Sequence, residues 1–148
     1  MGIFDMMSIS ASALSAERQR AEVISTNLAN AETTHTDSGG PFVRKEVVFG
    51  ESSASPFQSV LNRAGGIGTP AGAVEITGVV DDHAPPVMRY EPGNPDADKD
   101  GFVAYPAINP MTEMADLMDA TRSYQLNASA VSAAKQMIQQ SIDILKSS

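Results

Sequence analysis

The chain has 148 residues, a net charge of −8 and no cysteine. This length favours one domain. Because the chain has no cysteine, disulfides, thiol nucleophiles and cysteine-based metal sites are excluded. The negative charge argues against non-specific binding of nucleic acid or anionic membranes. Only eight residues are aromatic and none is tryptophan, which leaves a thin core.

Residues 3–31 are predicted to form a helix, because apolar residues recur along them at helical spacing. Alanines and serines make much of its surface small, and burying alanine gains far less free energy than burying leucine. We therefore expect this helix to depend on neighbouring helices. No basic segment followed by an apolar run is visible near Met1, so no cleavable secretion signal is predicted, and no apolar stretch is long enough to span a membrane.

Residues 35–108 differ from both ends of the chain. They contain ten acidic and five basic residues and six of the eight aromatics. Strands are predicted at 42–49, 73–81, 86–91 and 102–105, with a turn at 82–85 joining the second strand to the third. Residues 50–72, rich in Ser, Gly and Pro, are predicted to be a loop of low order.

A second, longer helix is predicted from Pro110 to Lys146, with Asn109 as its cap. A mostly apolar stripe runs along it in steps of three and four residues: Met114, Leu117, Thr121, Tyr124, Ala128, Val131, Lys135, Ile138, Ile142 and Leu145. This pattern requires partner helices along the whole length. The expected fold is mainly α, with long terminal helices forming an antiparallel coiled-coil hairpin around a small β-containing insert. The predicted divisions are an N-terminal helix at 1–34, the insert at 35–108 and a C-terminal helix at 109–148 that packs with 1–34.

One segment partly matches a calcium-binding loop. Asp96, Asp98 and Asp100 alternate and Gly101 follows, as in the first half of an EF-hand loop. The twelfth position, where a bidentate glutamate should complete the site, is Ala107. A solvated acidic turn is the preferred interpretation, and a calcium-binding interaction protein stays open as the alternative.

Other catalytic or cofactor motifs are not found. His35 and His83 have no second ligand at helical spacing, and the chain has no nucleophile elbow, phosphate loop or dinucleotide fingerprint. We therefore predict no enzymatic activity, cofactor or small-molecule substrate.

The end of the first helix carries an informative motif. Arg18-Gln19-Arg20, Asn27-Leu28-Ala29-Asn30 and Thr33-Thr34 together resemble the amino-terminal motif of the bacterial flagellar axial family, which includes rod and hook subunits. Further segments resemble its proximal-rod members: 39–45, 94–98, 101–106 and 108–110. Residues 113–114 and 122–125, with 133–135 following, resemble the family's C-terminal helix.

The resemblance implies a non-enzymatic subunit of the flagellar rod, the drive shaft that crosses the periplasm. Such subunits are exported unfolded by the flagellar type III apparatus without a cleavable signal. The implied partners are copies of the chain, other rod subunits, and the rod base and MS ring. Intersubunit contacts are expected at Leu14, Ile24, Asn27, Leu28 and Asn30 on the first helix and at Leu117, Tyr124, Val131, Ile138 and Ile142 on the second.

Overall fold

The computed structural model describes residues 3–51 and 73–147, and most of the predicted loop at 50–72 lies outside them. The elements in chain order are α1 (Ile3–Ala29), β1 (Lys45–Glu51), β2 (Val74–Asp81), β3 (Val87–Tyr90), β4 (Phe102–Tyr105) and α2 (Pro110–Ser147). The predicted order of a helix, a strand-containing insert and a longer helix is confirmed.

The start of α2 follows from its sequence. Asn109 caps the helix, because its Oδ1 accepts a hydrogen bond from Met111 N at 3.0 Å and its carbonyl accepts one from Glu113 N at 3.1 Å. The helix has 38 residues, about 57 Å at a rise of 1.5 Å per residue. Within the described residues, no helix combines the length and apolarity needed to cross a bilayer.

The four strands form two separate two-stranded sheets, β1 with β2 and β3 with β4. In the antiparallel β3–β4 pair, Val87 lies opposite Tyr105 and Tyr90 lies opposite Phe102. The turn at 82–85 does connect β2 to β3, but the two strands it joins lie in different sheets. Two prolines, at 85 and 86, directly precede β3 and have no N–H to donate across a hairpin.

The first strand starts later than predicted, at Lys45 instead of Phe42. Phe42 N donates a hydrogen bond to Thr33 O at 3.0 Å, so this part of the chain is held against the segment that follows α1. Nearby, Thr36 N donates to Gly40 O at 2.9 Å and Gly39 N donates to Thr36 O at 2.8 Å. These bonds close the turn between α1 and β1.

The chain divides into two compact units. The first comprises Met1–Arg18, Phe49–Thr77 and Thr121–Ser148. Its buried apolar residues, among those described, are Ala16 and Ala134. Ser12 on α1 accepts a hydrogen bond from Val74 N at 3.2 Å, which connects the helix to the start of β2.

The second unit comprises Gln19–Val48 and Gly78–Ala120. Its buried apolar residues include Ile24, Val103 and Ala120, and two polar side chains, Asn27 and Glu113, are buried in the same unit. A buried amide and a buried carboxylate must both be hydrogen-bonded to be tolerated. Their partners define the most distinctive site in the structure.

Candidate functional site

Asn27 occupies the last turns of α1 and is only 1% exposed. Its side-chain amide pairs with the backbone of Lys45 in both directions. Asn27 Nδ2 donates to Lys45 O at 2.8 Å, and Lys45 N donates to Asn27 Oδ1 at 2.9 Å. The amide therefore satisfies both backbone groups of the first residue of β1 and joins that strand to α1.

Glu113 lies in the first turns of α2 and is also 1% exposed. One carboxylate oxygen, Oε1, accepts a hydrogen bond from Arg44 Nε at 2.7 Å. The other, Oε2, accepts one from Asn27 Nδ2 at 3.2 Å. Asn27, Arg44, Lys45 and Glu113 together form what we call the polar junction, and it connects the end of α1, the start of β1 and the start of α2.

Arg44 carries the positive charge of the junction. Besides Glu113, its guanidinium pairs with Glu46 and lies 3.7 Å from Asp82 Oδ2. Burial lowers the pKa of Arg44, but the hydrogen bonds that its guanidinium donates to Glu113 and Glu46 outweigh burial and raise the pKa above its ordinary value. The Arg44 guanidinium therefore stays positively charged at any physiological pH. A buried carboxylate such as that of Glu113 needs a partner of opposite charge, and Arg44 supplies it.

The structure separates the roles of the two asparagines at the end of α1. Asn30 is only half-buried, and its side chain stays local: Nδ2 donates to Thr26 O at 2.9 Å, while Oδ1 accepts a hydrogen bond from Thr33 Oγ1 at 3.1 Å. No described residue other than glycine has a positive φ angle, so neither asparagine is needed for left-handed backbone. Both act through side-chain hydrogen bonds.

Sequence reasoning named Asn27 as a contact residue. It included Arg44 and Glu113 only within segments that resemble the family, at 39–45 and 113–114, and assigned neither residue a role of its own. A signal for Glu113 was available, since it falls on the same helical face as Leu117 and Ala120, where a carboxylate needs a buried partner. Arg44 has no comparable signal, because residues before a strand carry no periodicity that reports burial.

The remaining predicted contact residues lie on both helices and in both units. Leu14 and Leu28 on α1 are half-buried, as are Leu117, Val131 and Ile138 on α2, and Ile24 is buried within the chain. Tyr124 and Ile142 are exposed. Besides Glu113, the buried residues of α2 among those described are Ala120 and Ala134, each one position before a position of the predicted stripe. The buried face therefore uses small residues and leaves several large apolar side chains outside.

A group of methionines illustrates this exposure. Met111, Met114 and Met118 are 74%, 50% and 64% exposed. Their spacing of three and four residues places them on one face of the first turns of α2. We call these three residues the methionine strip, and only Met114 was part of the predicted stripe. Methionine adapts its shape to varied partners, which suits a contact surface.

The acidic turn holds itself together through its own carboxylates. Asp98 Oδ1 accepts hydrogen bonds from Asp100 N at 2.9 Å and from Phe102 N at 2.8 Å. Asp96 Oδ2 accepts one from Thr34 Oγ1 at 2.6 Å. Among the side chains that the structure describes, no three of His, Asp or Glu are placed to hold a metal ion. The geometry of the acidic turn gives no support to the calcium-binding alternative.

The β3–β4 pair carries a compact aromatic cluster. The rings of Tyr90 and Phe102 meet edge to face with centroids 5.3 Å apart, and the Arg89 guanidinium lies 4.4 Å from the centroid of the Tyr105 ring. Tyr105 Oη donates a hydrogen bond to Glu91 Oε2 at 3.0 Å. This hydrogen bond is the main reason that the pKa of Tyr105 is raised, with desolvation adding to it.

Two family matches cover the segments that carry the polar junction's helical residues. Residues 7–34, which include Asn27, match the family described as "Flagella basal body rod protein". Residues 99–144, which include Glu113, match the family described as "Flagellar basal body rod FlgEFG protein C-terminal".

Curated relatives match over nearly the whole chain. The flagellar basal-body rod protein FlgC of Bacillus subtilis (strain 168) is 37% identical over 150 residues, covering 99% of this chain and 100% of the relative. FlgC of Salmonella typhimurium (strain LT2) is 36% identical, covering 93% and 94%. FlgC of Borreliella burgdorferi is 31% identical, covering 99% of each. The resemblance to flagellar rod proteins is thereby confirmed, and this chain belongs to the FlgC family of flagellar basal-body rod proteins.

Proposed function

We propose that this chain is a structural subunit of the flagellar basal-body rod and acts without enzymatic activity. The observation that carries the proposal, beside family membership, is the exposure of large apolar side chains along α2, including the methionine strip, Leu126, Ile144 and Leu145. Apolar side chains repeated along a helix and left in water are typical of a surface that another protein covers.

The two terminal helices form an antiparallel coiled-coil hairpin in this proposal. The hydrogen bond between Asn27 and Glu113 supports it, because it brings the last turns of α1 beside the first turns of α2. The divisions at 1–34, 35–108 and 109–148 then describe roles: the terminal segments build the rod and the insert forms its outer part. Many parallel helices packed at protein-like density supply the stiffness that a torque-transmitting shaft requires.

The ten contact residues predicted from sequence belong to this proposal, with the methionine strip added. Tyr124 and Ile142 are exposed in the chain and can meet a neighbour directly. Asn27 is already hydrogen-bonded within the chain, so its contribution is to hold the helix ends in position. Its expected effect on assembly is therefore indirect.

The partners are copies of the chain and other rod subunits, with the rod base and MS ring at one end. We infer that the flagellar type III apparatus exports the subunit and that it lies in the periplasmic part of the rod. The net charge of −8 also agrees with a protein that binds neither nucleic acid nor anionic lipid.

The test uses the bacterium that encodes this chain, with its gene deleted and then complemented. We expect the deletion strain to be immotile and to lack complete rods, and the wild-type gene to restore both. Ile142→Asp should fail to restore motility, because it places a charge on an apolar contact surface without disturbing a side chain that the chain itself buries. Ser132→Asp, an exposed position on another face, should restore motility.

The readouts are swimming and the amount of subunit in purified basal bodies, measured by mass spectrometry. Complete rods in the deletion strain would contradict the proposal. So would full motility of the Ile142→Asp strain together with loss of motility in the Ser132→Asp strain.

A further inference from the structure

Strand β3 forms an edge of the β3–β4 sheet that no described strand covers. In an antiparallel sheet, pairs of opposite residues that exchange backbone hydrogen bonds alternate with pairs whose N–H and C=O groups point away from each other. Glu91 N donates to Gly101 O at 2.8 Å, directly after the pair of Tyr90 and Phe102 in the register. By alternation, Met88 and Tyr90 point their backbone groups away from β4, and we call these two residues the open edge.

The two edges of this sheet differ. On the outer side of β4, Phe102 N donates to Asp98 Oδ1 at 2.8 Å, and Asp98 N donates to Phe102 O at 2.8 Å. The acidic turn therefore satisfies the outward backbone groups of Phe102. Among the residues that the structure describes, none supplies a hydrogen-bond partner to the outward N–H and C=O groups of the open edge.

The side chains of the open edge are also uncovered. Met88 and Tyr90 are 51% and 65% exposed, and Phe102, which lies opposite Tyr90 on the same face of the sheet, is 40% exposed. The other face of the sheet packs inward, because Val103 is buried there. Large apolar side chains on the outward face of a sheet are typical of a surface that another protein covers.

The backbone of the open edge specifies the conformation of its partner. Outward N–H and C=O groups along a strand bind an extended segment that adds to the sheet as a further strand. Pro86 and Pro92 stand two residues before Met88 and two after Tyr90, and proline has no N–H to donate. Recognition is therefore confined to the open edge, and partner residues opposite it place their side chains on the exposed apolar face.

Charge specifies the composition of the partner. The compact unit that contains β3, Gln19–Val48 and Gly78–Ala120, has thirteen acidic and five basic residues, a net side-chain charge of −8. Asp81-Asp82 precedes β3 and Glu91 follows it directly, while Arg89, the basic residue of β3, lies on the inward face. A basic segment is therefore attracted to the open edge, and an acidic one is repelled.

We propose that the open edge of β3 binds a basic, extended segment of another protein as an added strand. The segment carries apolar residues opposite Met88 and Tyr90 and lysine or arginine residues at its ends. The site belongs to the insert, so it does not depend on the proposed packing of the terminal helices.

The test measures binding of a fluorescein-labelled probe peptide, Lys-Lys-Thr-Val-Thr-Val-Thr-Lys-Lys, to the purified full-length chain by fluorescence anisotropy. Its two valines are the residues that should lie opposite Met88 and Tyr90. Two further peptides are the matched controls. One carries N-methyl groups on both valines, which removes the donors that face β3, and the other has glutamate in place of every lysine.

We expect saturable binding of the lysine probe and binding of each control peptide that is weaker by about tenfold or more. Equal affinities for the lysine probe and the N-methylated peptide would show that no strand is added. Equal affinities for the lysine and glutamate peptides would show that charge does not select the partner. Either result, or the absence of saturable binding, would overturn the proposal.

Substitutions at Met88 test where the probe binds. Met88→Pro removes an outward N–H without removing a hydrogen bond to β4, and edge strands tolerate proline at such positions. Met88→Thr changes the side chain but keeps the N–H, so it is the matched control. We expect Met88→Pro to weaken binding of the lysine probe by about tenfold or more and Met88→Thr to weaken it much less.

Equal affinities of the two Met88 variants for the lysine probe would overturn the assignment of the site to β3. Circular dichroism shows whether Met88→Pro keeps the wild-type fold. If this variant does not fold, the two control peptides still decide the outcome, because they are measured on the wild-type chain.

Discussion

Asn27 and Glu113 are separated by 86 residues in the sequence, yet Asn27 Nδ2 lies 3.2 Å from Glu113 Oε2 in a buried hydrogen bond. Arg44 Nε donates to the other oxygen of the same carboxylate at 2.7 Å. Hydrogen bonds tolerate little change in distance and angle. The polar junction therefore fixes the start of α2 relative to the end of α1 more strictly than apolar contacts alone would.

Replacing the buried carboxylate tests this role. Glu113→Gln keeps the volume of the side chain but removes the negative charge that Arg44 faces. We expect the free energy of unfolding to fall by about 1.5–3 kcal/mol, the range for hydrogen bonds to charged groups. The measurement is urea denaturation followed by circular dichroism. Asp81→Asn makes the same charge change at an exposed position, and its free energy of unfolding should stay within about 0.5 kcal/mol of wild type. Equal losses of stability in the two variants would contradict the role of the junction.

The two asparagines of α1 should differ in their effect. Asn27→Leu leaves the N–H and C=O of Lys45 without their partners, which should cost about 2–6 kcal/mol for two unsatisfied groups. Asn30→Leu loses only local bonds near the surface and should cost less than about 1 kcal/mol. Thermal unfolding of both variants measures this difference in stability. The amount of rod in basal-body preparations should also fall more for Asn27→Leu than for Asn30→Leu. A larger loss for Asn30→Leu would reverse the assignment.

Gly101 is required by the aromatic cluster beside it. Its φ angle is +84°, and an added Cβ would lie 2.9 Å from Tyr90 Cε2. Gly101→Ala should therefore destabilise the protein by about 1–3 kcal/mol through backbone strain and displacement of the Tyr90 ring. Gly93→Ala is the control, since a Cβ there meets no atom within 4 Å, and it should change the free energy of unfolding little. Equal melting temperatures for the two variants would contradict this reading of Gly101.

Much of the fold could be predicted because its signals are local. Asn109-Pro110 marks the start of α2, and the extended segments predicted at 73–81 and 102–105 lie within one residue of β2 and β4. The pairing of the strands could not be predicted, because which strand joins which depends on contacts between distant segments. The same limit applies to the polar junction. Asn27 can be recognised in the sequence as part of a motif, but its hydrogen bonds to the backbone of Lys45 cannot be predicted, because a backbone partner leaves no pattern in the sequence.

Helix periodicity was also only partly sufficient. A stripe through Leu117, Val131 and Ile138 was predicted, and these residues are half-buried. The buried apolar positions of α2 are Ala120 and Ala134, because alanine permits the closest approach of a neighbouring backbone even though larger apolar residues lie nearby. Hydrophobicity ranks the larger residues higher, so it shifts the predicted stripe toward them.

Tyr105 should titrate at higher pH than an ordinary tyrosine. Its hydrogen bond to Glu91 favours the protonated phenol and raises its pKa in the folded state. The stability that this bond contributes is present below the unfolded pKa of about 10 and is lost as pH rises through the folded pKa. An ultraviolet absorbance titration of the three tyrosines should show one late component, and Tyr105→Phe should remove it. Persistence of the late component in Tyr105→Phe would contradict the assignment.

The most direct test of assembly through the terminal helices is an electron-microscopy reconstruction of basal bodies isolated from the bacterium that encodes this chain. We predict that the rod contains the chain with α1 and α2 side by side in opposite directions and with Asn27 and Glu113 at the same end. The exposed apolar residues of α2 should face neighbouring subunits. A complete rod without this chain, or one in which α2 lies in solvent and the insert makes the subunit contacts, would contradict the account.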